Sequence, residues 1–170
     1  LANWKGDTPF IDPFCGSGTI AIEACLIAQN IAPGFNRDFV SEEWNIMPPN
    51  IYDELRDEAD RMADYDKEIE VYASDIDPEM VEIAKRNAEE VGLGDIIQFN
   101  VKDVNTLTID SEGPVALVGN PPYGERIGDR EEVEEMYRYI GSLMKQHPYL
   151  STYILTSNKA VSYTHLRAHE

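Results

Sequence analysis

The stretch TPFIDPFCGSGTIAIEACLIAQ, residues 8–29, decides the fold of this chain. Its first five residues form a short apolar run that ends in Asp12 and is typical of a buried strand. Small residues follow, and Gly16 and Gly18 let the backbone turn tightly and approach a ligand closely. Its last ten residues are good helix formers in a helical pattern. The chain is therefore predicted to open with a strand, a glycine turn and a helix.

Strands and helices continue to alternate outward from this stretch. We predict further strands at residues 69–74, 96–101, 114–118 and 151–156. We predict further helices at residues 51–65, 78–91 and 130–146, with irregular structure over 31–49. This alternation indicates an α/β fold, with a mostly parallel sheet covered by helices on both faces. Ligands bind at the carboxyl ends of the strands in such sheets, so the site is expected there.

The composition is that of one globular domain. The chain has 170 residues, 42% of them hydrophobic and 27% charged, which is enough for a single core. No apolar run approaches the roughly 18 residues that cross a bilayer, and the first residues lack the pattern of a signal peptide. We therefore predict a cytoplasmic protein that does not cross or bind a membrane.

The cysteines and histidines do not predict a metal site. Cys15 and Cys25 form neither a disulfide framework nor a CxxC pair. His165 and His169 are spaced four residues apart, but no third ligand is near them in sequence. We predict no metal, and a reducing compartment.

The charge of the chain is strongly negative. The formal net charge is −18, and residues 41–70 alone hold eleven Asp and Glu against three Lys and Arg. A solvated acidic helix face explains that segment. Binding of a nucleic acid normally requires Lys and Arg, so this part of a nucleic-acid enzyme would not hold its substrate alone.

The glycine turn at residues 13–19 has the chemistry of an amino-acid binding site. The helix that follows presents N–H groups that suit a carboxylate, whereas Asp12 suits an ammonium group. S-adenosylmethionine carries both groups on its methionine end. The nucleotide pattern GxxxxGK[ST] and the dinucleotide pattern GxGxxG are both absent. A plain turn between strand and helix is the alternative at this point.

Acids follow the second and third strands. Asp75 comes directly after the second strand and can accept hydrogen bonds from ribose hydroxyls. Asp77 precedes Pro78 and is predicted to cap a helix. Asp103, after the third strand, can accept from the exocyclic amine of an adenine, although an Asp in a surface turn is the alternative.

The most specific motif is Asn120-Pro121-Pro122-Tyr123, after the fourth strand. The two prolines fix φ and remove two backbone donors. The acceptors that remain are the side-chain oxygen of Asn120 and the carbonyl of Pro121, and Tyr123 offers a flat ring. This arrangement suits a planar substrate with an NH₂ group at its edge, stacked on the aromatic ring.

These motifs resemble those of class I S-adenosylmethionine-dependent amino-methyltransferases, which have a Rossmann-like fold. More narrowly, Ile22-Glu23-Ala24, Ala32-Pro33-Gly34 with Arg37 and Trp44, and Gly124-Glu125-Arg126-Ile127-Gly128 look like the bacterial THUMP-domain large-subunit rRNA guanine-N2 methyltransferases. The resemblance covers residues 1–160, as a partial catalytic domain. It implies transfer of a methyl group to a guanine N2 amine in large-subunit ribosomal RNA.

The resemblance also implies roles for individual residues. The catalytic residues that it implies are Asn120, Pro121, Pro122 and Tyr123. The residues that it places against S-adenosylmethionine are Asp12, Cys15, Gly16, Ser17, Gly18, Thr19, Asp75, Ile76, Asp103 and Val104.

Two departures from that family stand out. Its members carry an RNA-binding THUMP domain before the catalytic domain, which would supply the basic grip on RNA that this chain lacks. Residues 161–170 do not fit the family and are interpreted as a non-native tail. We also expect the sheet to be truncated after its fifth strand.

Other functions remain open on the sequence alone. DNA adenine-N6 methyltransferases use the same Asn-Pro-Pro-Tyr chemistry, and a protein glutamine also presents an NH₂ group. A non-catalytic module that binds cofactor or RNA is an alternative of a different class. The intact Asn120 and Tyr123 favour an enzyme.

Overall fold

The computed structural model describes residues 2–122 and 129–155, with the backbone alone for residues 129 and 130. Strands and helices alternate through it as the sequence predicts. The strands are β1 (Phe10–Asp12), β2 (Val71–Asp75), β3 (Ile97–Val101), β4 (Val115–Gly119) and β5 (Leu150–Ile154). The α-helices are α1 (Thr19–Ala28), α2 (Ile51–Met62), α3 (Pro78–Glu90) and α4 (Asp129–Gln146).

The five strands form one sheet in the order β3-β2-β1-β4-β5, and every pair of neighbours is parallel. The chain moves outward from β1 to β2 and β3, and then crosses to the other side of β1 for β4 and β5. The order therefore reverses at β1. In α/β sheets ligands bind beside such a reversal, at the carboxyl ends of the strands.

Helices pack on both faces of the sheet. On one face α1 and α3 cover β1 and β2, and Ala21, Cys25 and Ala84 are fully buried there. On the other face α4 covers β4 and β5, with Ile140 and Leu143 in the interior. The predicted Rossmann-like α/β fold is confirmed.

The starts of α1 and α3 follow from their sequences. The residue before α1, Gly18, has φ +88°, a left-handed conformation that glycine adopts without strain. Asp77 caps α3 as predicted, because its side chain accepts a hydrogen bond of 2.8 Å from the Glu79 N–H, and Pro78 occupies the first helical position.

The acidic segment 41–70 lies at the surface. None of the residues of α2 is buried. Arg56 forms ion pairs with Asp38, Glu42 and Asp53, which neutralise part of the local charge. The interpretation of this segment as a solvated acidic face is consistent with this exposure. Across residues 2–122 and 129–155, none of the helices combines the length and apolar character needed to cross a membrane.

Candidate functional site

A cleft of about 890 Å³ lies at the carboxyl ends of the strands, where the strand order reverses. The glycine loop (residues 13–19) lines it from β1, and the residues after β2, β3 and β4 line it from their own strand ends. The glycine loop, Asp75, Asp103 and Asn120 therefore border one space, although the first and the last of them lie more than a hundred residues apart in sequence. Another cavity, of about 510 Å³, lies beside Gln29 and Leu93 and contains none of the predicted site residues.

The glycine loop is folded against the end of β2. The Cys15 N–H donates to the Ser74 carbonyl and the Gly16 N–H donates to Asp75 Oδ2, both at 2.9 Å. Gly16 has φ +51°, and a Cβ there would meet no atom within 4 Å, because that side of the loop opens toward the cleft. Cys15, Gly16, Ser17 and Thr19 all line the cleft, as predicted for a cofactor loop.

Gly18 has a different role from Gly16. A Cβ on Gly18 would lie 3.0 Å from the Ala84 Cβ and 3.3 Å from its Cα. The residue therefore permits α1 to approach α3 closely. Of the two glycines singled out in the sequence, Gly16 lines the cleft, and Gly18 leaves the space in which α1 and α3 pack closely.

Asp12 lies beneath the glycine loop with none of its surface exposed. Its Oδ1 accepts from the Phe14 N–H at 3.1 Å, and its buried Oδ2 has no hydrogen-bond partner among the described residues. Burial raises the pKa of this carboxyl to about 7, the Phe14 N–H opposes that shift, and the nearby Asp75 adds to it. A nearby cationic group such as an ammonium would stabilise a buried carboxylate oxygen that lacks a hydrogen-bond partner.

Asp75 holds two backbone segments at once. Its Oδ2 accepts from Gly16 and its Oδ1 accepts from the Asp77 N–H at 3.0 Å. The same side chain faces the cleft, beside Ile76, which is 68% exposed there. The position fits the predicted ribose acceptor, and the bonds add a structural role that the sequence did not reveal.

Asp103 and Val104 line the cleft after β3. The Oδ1 of Asp103 accepts from the Asn105 N–H at 2.8 Å and caps the short 3₁₀ helix Val104–Thr106. Val104 is buried to 8% exposure and lines the cleft, as Ile76 does. The turn that the sequence offered as the alternative role for Asp103 is present, at the predicted place beside the ligand space.

The residues after β4 complete the opposite wall. Asn120 is exposed and lines the cleft together with Pro122, whereas Pro121 is fully buried. Tyr123 lies outside the described residues, as does the segment 124–128, on which the family resemblance partly rests. The tail at 161–170 also lies outside them.

Sequence reasoning missed part of the cleft. Val133 and Met136 project from α4 and form an apolar wall with Phe14 and Val104. Val133 and Met136 lie three residues apart on the buried face of an amphipathic helix. This spacing predicts packing in the core as readily as it predicts a wall of a binding site. Only their place in the tertiary structure distinguishes the two roles.

The cleft carries negative charge. Among the described residues around it, Lys102 is the one cation, and the carboxylates are Asp75, Asp103, Glu132 and Glu135. Such a lining attracts a cationic ligand and repels phosphate. An acid-lined cleft, an open glycine loop and the apolar side chains of Ile76 and Val104 fit S-adenosylmethionine, which has an ammonium, a sulfonium and a flat adenine. Asp12 is fully buried and is not among the residues that line the cleft.

Named proteins are similar to this chain in sequence. A protein of Bacillus subtilis (strain 168) named "Putative RNA methyltransferase YpsC" is 55% identical over 159 residues, which are 94% of this chain and 41% of the relative. "Ribosomal RNA large subunit methyltransferase K/L" of Shewanella baltica (strain OS155) is 41% identical over 150 residues, 85% of this chain and 21% of the relative. The chain therefore spans less than half the length of these relatives.

Solved structures share the fold. One is described as a "predicted N6-adenine-specific DNA methylase" from Listeria monocytogenes, with a TM-score of 0.90 and 48% identity over 96% of this chain and 43% of that one. Another is "SMU.472, a putative methyltransferase complexed with SAH", with a TM-score of 0.89 and 41% identity over 97% of this chain and 44% of that one.

The family comparison gives the broadest match. The family described as UPF0020, RMKL-like, methyltransferase domain, matches residues 1–167. The chain therefore belongs to the RMKL-like methyltransferase domain family, which confirms the predicted class of S-adenosylmethionine-dependent methyltransferase.

Proposed function

We propose that this domain transfers a methyl group from S-adenosylmethionine to the exocyclic N2 amine of a guanine in large-subunit ribosomal RNA. The observation that carries the proposal is that the glycine loop and the end of β4 border one cleft. A cofactor held by the loop would lie beside a substrate amine held by Asn120. The RNA methyltransferase names of two relatives support RNA as the substrate class.

We assign the two ends of the cofactor to opposite parts of the cleft. The methionine end would lie on the glycine loop, with its ammonium toward Asp12. The ribose would bond to Asp75, and the adenine would lie between Ile76 and Val104 with its amine toward Asp103. The room above Gly16 and the unpaired Oδ2 of Asp12 support this orientation, and the relative SMU.472 is described as complexed with SAH.

The chemical task of the protein is orientation. When bound, S-adenosylmethionine supplies an electrophilic methyl group on its sulfonium. The Asn120 side-chain oxygen and the Pro121 carbonyl would accept hydrogen bonds from the two N–H groups of the amine, so that the nitrogen lone pair points at the methyl group, and the methylated nitrogen would then release one proton to solvent. Such acceptors also stabilise the positive charge that develops on the nitrogen. A base inside an RNA helix is out of reach, so it would be flipped out and stacked on Tyr123.

The rest of the protein would hold the RNA. Phosphate contacts require Lys and Arg, and the described cleft has four carboxylates against one lysine. We therefore propose that a basic RNA-binding domain outside residues 1–170 carries most of the affinity for RNA, and that the protein works in the cytoplasm.

The test includes two alternative substrates. A DNA adenine is the second candidate, because the Listeria structure is described as a "predicted N6-adenine-specific DNA methylase". A protein glutamine presents the same NH₂ group. A binding module without activity is the candidate from another class.

The test supplies methyl-labelled S-adenosylmethionine to the full-length protein with unmodified ribosomal RNA, duplex DNA or a release-factor protein. Chromatography of the nucleosides or peptides then identifies the labelled product. Label in N2-methylguanosine is expected. Label in N6-methyladenine or in glutamine would overturn the substrate, and no label with the cofactor still bound would favour the binding module.

Replacing Asn120 should separate chemistry from cofactor binding. Asn120→Ala removes one of the two proposed acceptors, and we expect turnover on ribosomal RNA to fall roughly 100-fold with cofactor affinity nearly unchanged. Asp75→Ala is the complementary variant, since it should mainly weaken cofactor binding. Both quantities are measured by labelled transfer and by calorimetric titration with S-adenosylhomocysteine. An equal loss of turnover and affinity in Asn120→Ala would remove Asn120 from the proposed role.

A further inference from the structure

Gly119, the last residue of β4, faces the ring of Phe14 at very short range. A Cβ on Gly119 would lie 2.8 Å from Phe14 Cδ2, and 3.5 Å from both Phe14 Cε2 and Pro13 Cδ. Gly119 is not among the glycines with positive φ. The position therefore needs glycine for space and not for backbone conformation.

The backbone of Gly119 is held in place from the neighbouring strand. Its partner in the sheet is Ile154 of β5, and its carbonyl accepts from the Leu155 N–H at 3.0 Å. Gly119 is buried, so a larger residue there could not turn outward. The strand end cannot retreat from Phe14 without breaking the sheet.

Phe14 is held in place as well. Its N–H donates to the buried Asp12 Oδ1, and its ring packs against a buried cluster that includes Val104, Val133 and Met136. The ring therefore contacts both this cluster and the backbone at Gly119. A side chain at position 119 would therefore displace the ring, the loop that carries it, or the strand end.

We propose that Gly119 and Phe14 form a positioning pair that sets the separation between the cofactor loop and Asn120. Phe14 lies two residues before Gly16 in the loop, and Gly119 directly precedes Asn120. The contact between them thus links the loop that would hold the cofactor to the residue that would hold the amine. This inference rests on the proposed function, because the separation between the loop and Asn120 matters for activity only if a methyl group is transferred across the cleft.

Methyl transfer is sensitive to this separation. A displacement of about 1 Å at a reacting centre can lower the rate roughly 100-fold. We therefore expect Gly119→Ala to lower turnover by about that factor, and to weaken binding of S-adenosylhomocysteine roughly tenfold, since overpacking distorts the loop.

The test is a double-mutant cycle. Phe14→Leu removes Cε2 and replaces the rigid ring by Cδ methyl groups that can rotate away from the new methyl group, so the double variant Gly119→Ala with Phe14→Leu should recover at least about tenfold of the lost turnover. The matched control is Gly113→Ala, another glycine without positive φ, where a Cβ would meet only Ser111 Oγ at 3.9 Å. This control should retain wild-type turnover and affinity.

Each outcome decides the proposal. Wild-type turnover and affinity in folded Gly119→Ala would overturn it, as would a fall in melting temperature with both quantities unchanged. Failure of Phe14→Leu to relieve the defect would show that the two residues do not act as a pair. If the wild-type protein labels no RNA, the proposed function fails, and the cycle is then read on affinity for S-adenosylhomocysteine alone.

Discussion

The carboxyl group of Asp12 lies in the interior, and its protonation should make the stability of the protein depend on pH. Burial raises its pKa from 3.8 to about 7. The folded state therefore holds a proton that the unfolded state releases between these values. Without a bound ligand, the free energy of unfolding should fall by a few kcal/mol as pH rises from about 4 to about 7.

Asp12→Asn removes this titration and keeps an oxygen that can accept from the Phe14 N–H. We expect the variant to be more stable than the wild type above pH 7 and less dependent on pH below it, measured by urea unfolding at several pH values. Asp77→Asn, at an exposed helix cap where Asn also caps, is the control. A wild-type pH profile that Asp12→Asn leaves unchanged would show that Asp12 is not responsible.

At the scale of single residues, the sequence predicts the cleft residues well where a polar side chain stands at the end of a predicted strand. Asp75 ends β2, Asp103 and Asn120 follow β3 and β4, and topology brings these strand ends together. Their assigned roles stay predictions. Val133 and Gly119 could not be found this way, because a buried valine on a helix and a glycine in a strand have no local signature of a site.

At the scale of elements, the contact between α1 and α3 depends on Gly18. Alanine at Gly18 would have to adopt φ near +88° and would also press on Ala84. Alanine at Gly16 would pay a conformational cost of about 1–2 kcal/mol in open space. We expect Gly18→Ala to lose roughly 1–3 kcal/mol more than Gly16→Ala, measured by urea unfolding. Equal losses would exclude close helix packing as the reason for this glycine.

Most elements follow from their patterns, and the differences have long-range causes. The helix predicted at 51–65 ends at Met62, because Ala63 takes an extended conformation and the Asp64 N–H donates to the distant Gln29 carbonyl at 2.7 Å. A 3₁₀ helix at Val40–Glu43 interrupts the stretch predicted to be irregular. Contacts between segments far apart in sequence are invisible to local periodicity.

At the scale of the whole molecule, the net charge of −18 should lower stability through repulsion. Salt screens charges at the surface, over a Debye length of about 10 Å at 0.1 M. We expect the free energy of unfolding to rise between low and physiological ionic strength at pH 8. Sucrose at matched osmolality is the control for effects that do not depend on charge. A stability that falls with salt would show that attractive pairs such as those of Arg56 dominate.

The strand order has a consequence for how the chain acquires its structure. Among the described strands, β1 comes first along the chain and lies in the middle of the sheet, bonded to β2 on one side and to β4 on the other. Its two partners lie far along the chain, so the contact order is high and folding should be slow. During synthesis, Phe10 and Ile11 of β1 must wait for β4 to leave the ribosome, and until then they are exposed apolar residues that a chaperone could recognise.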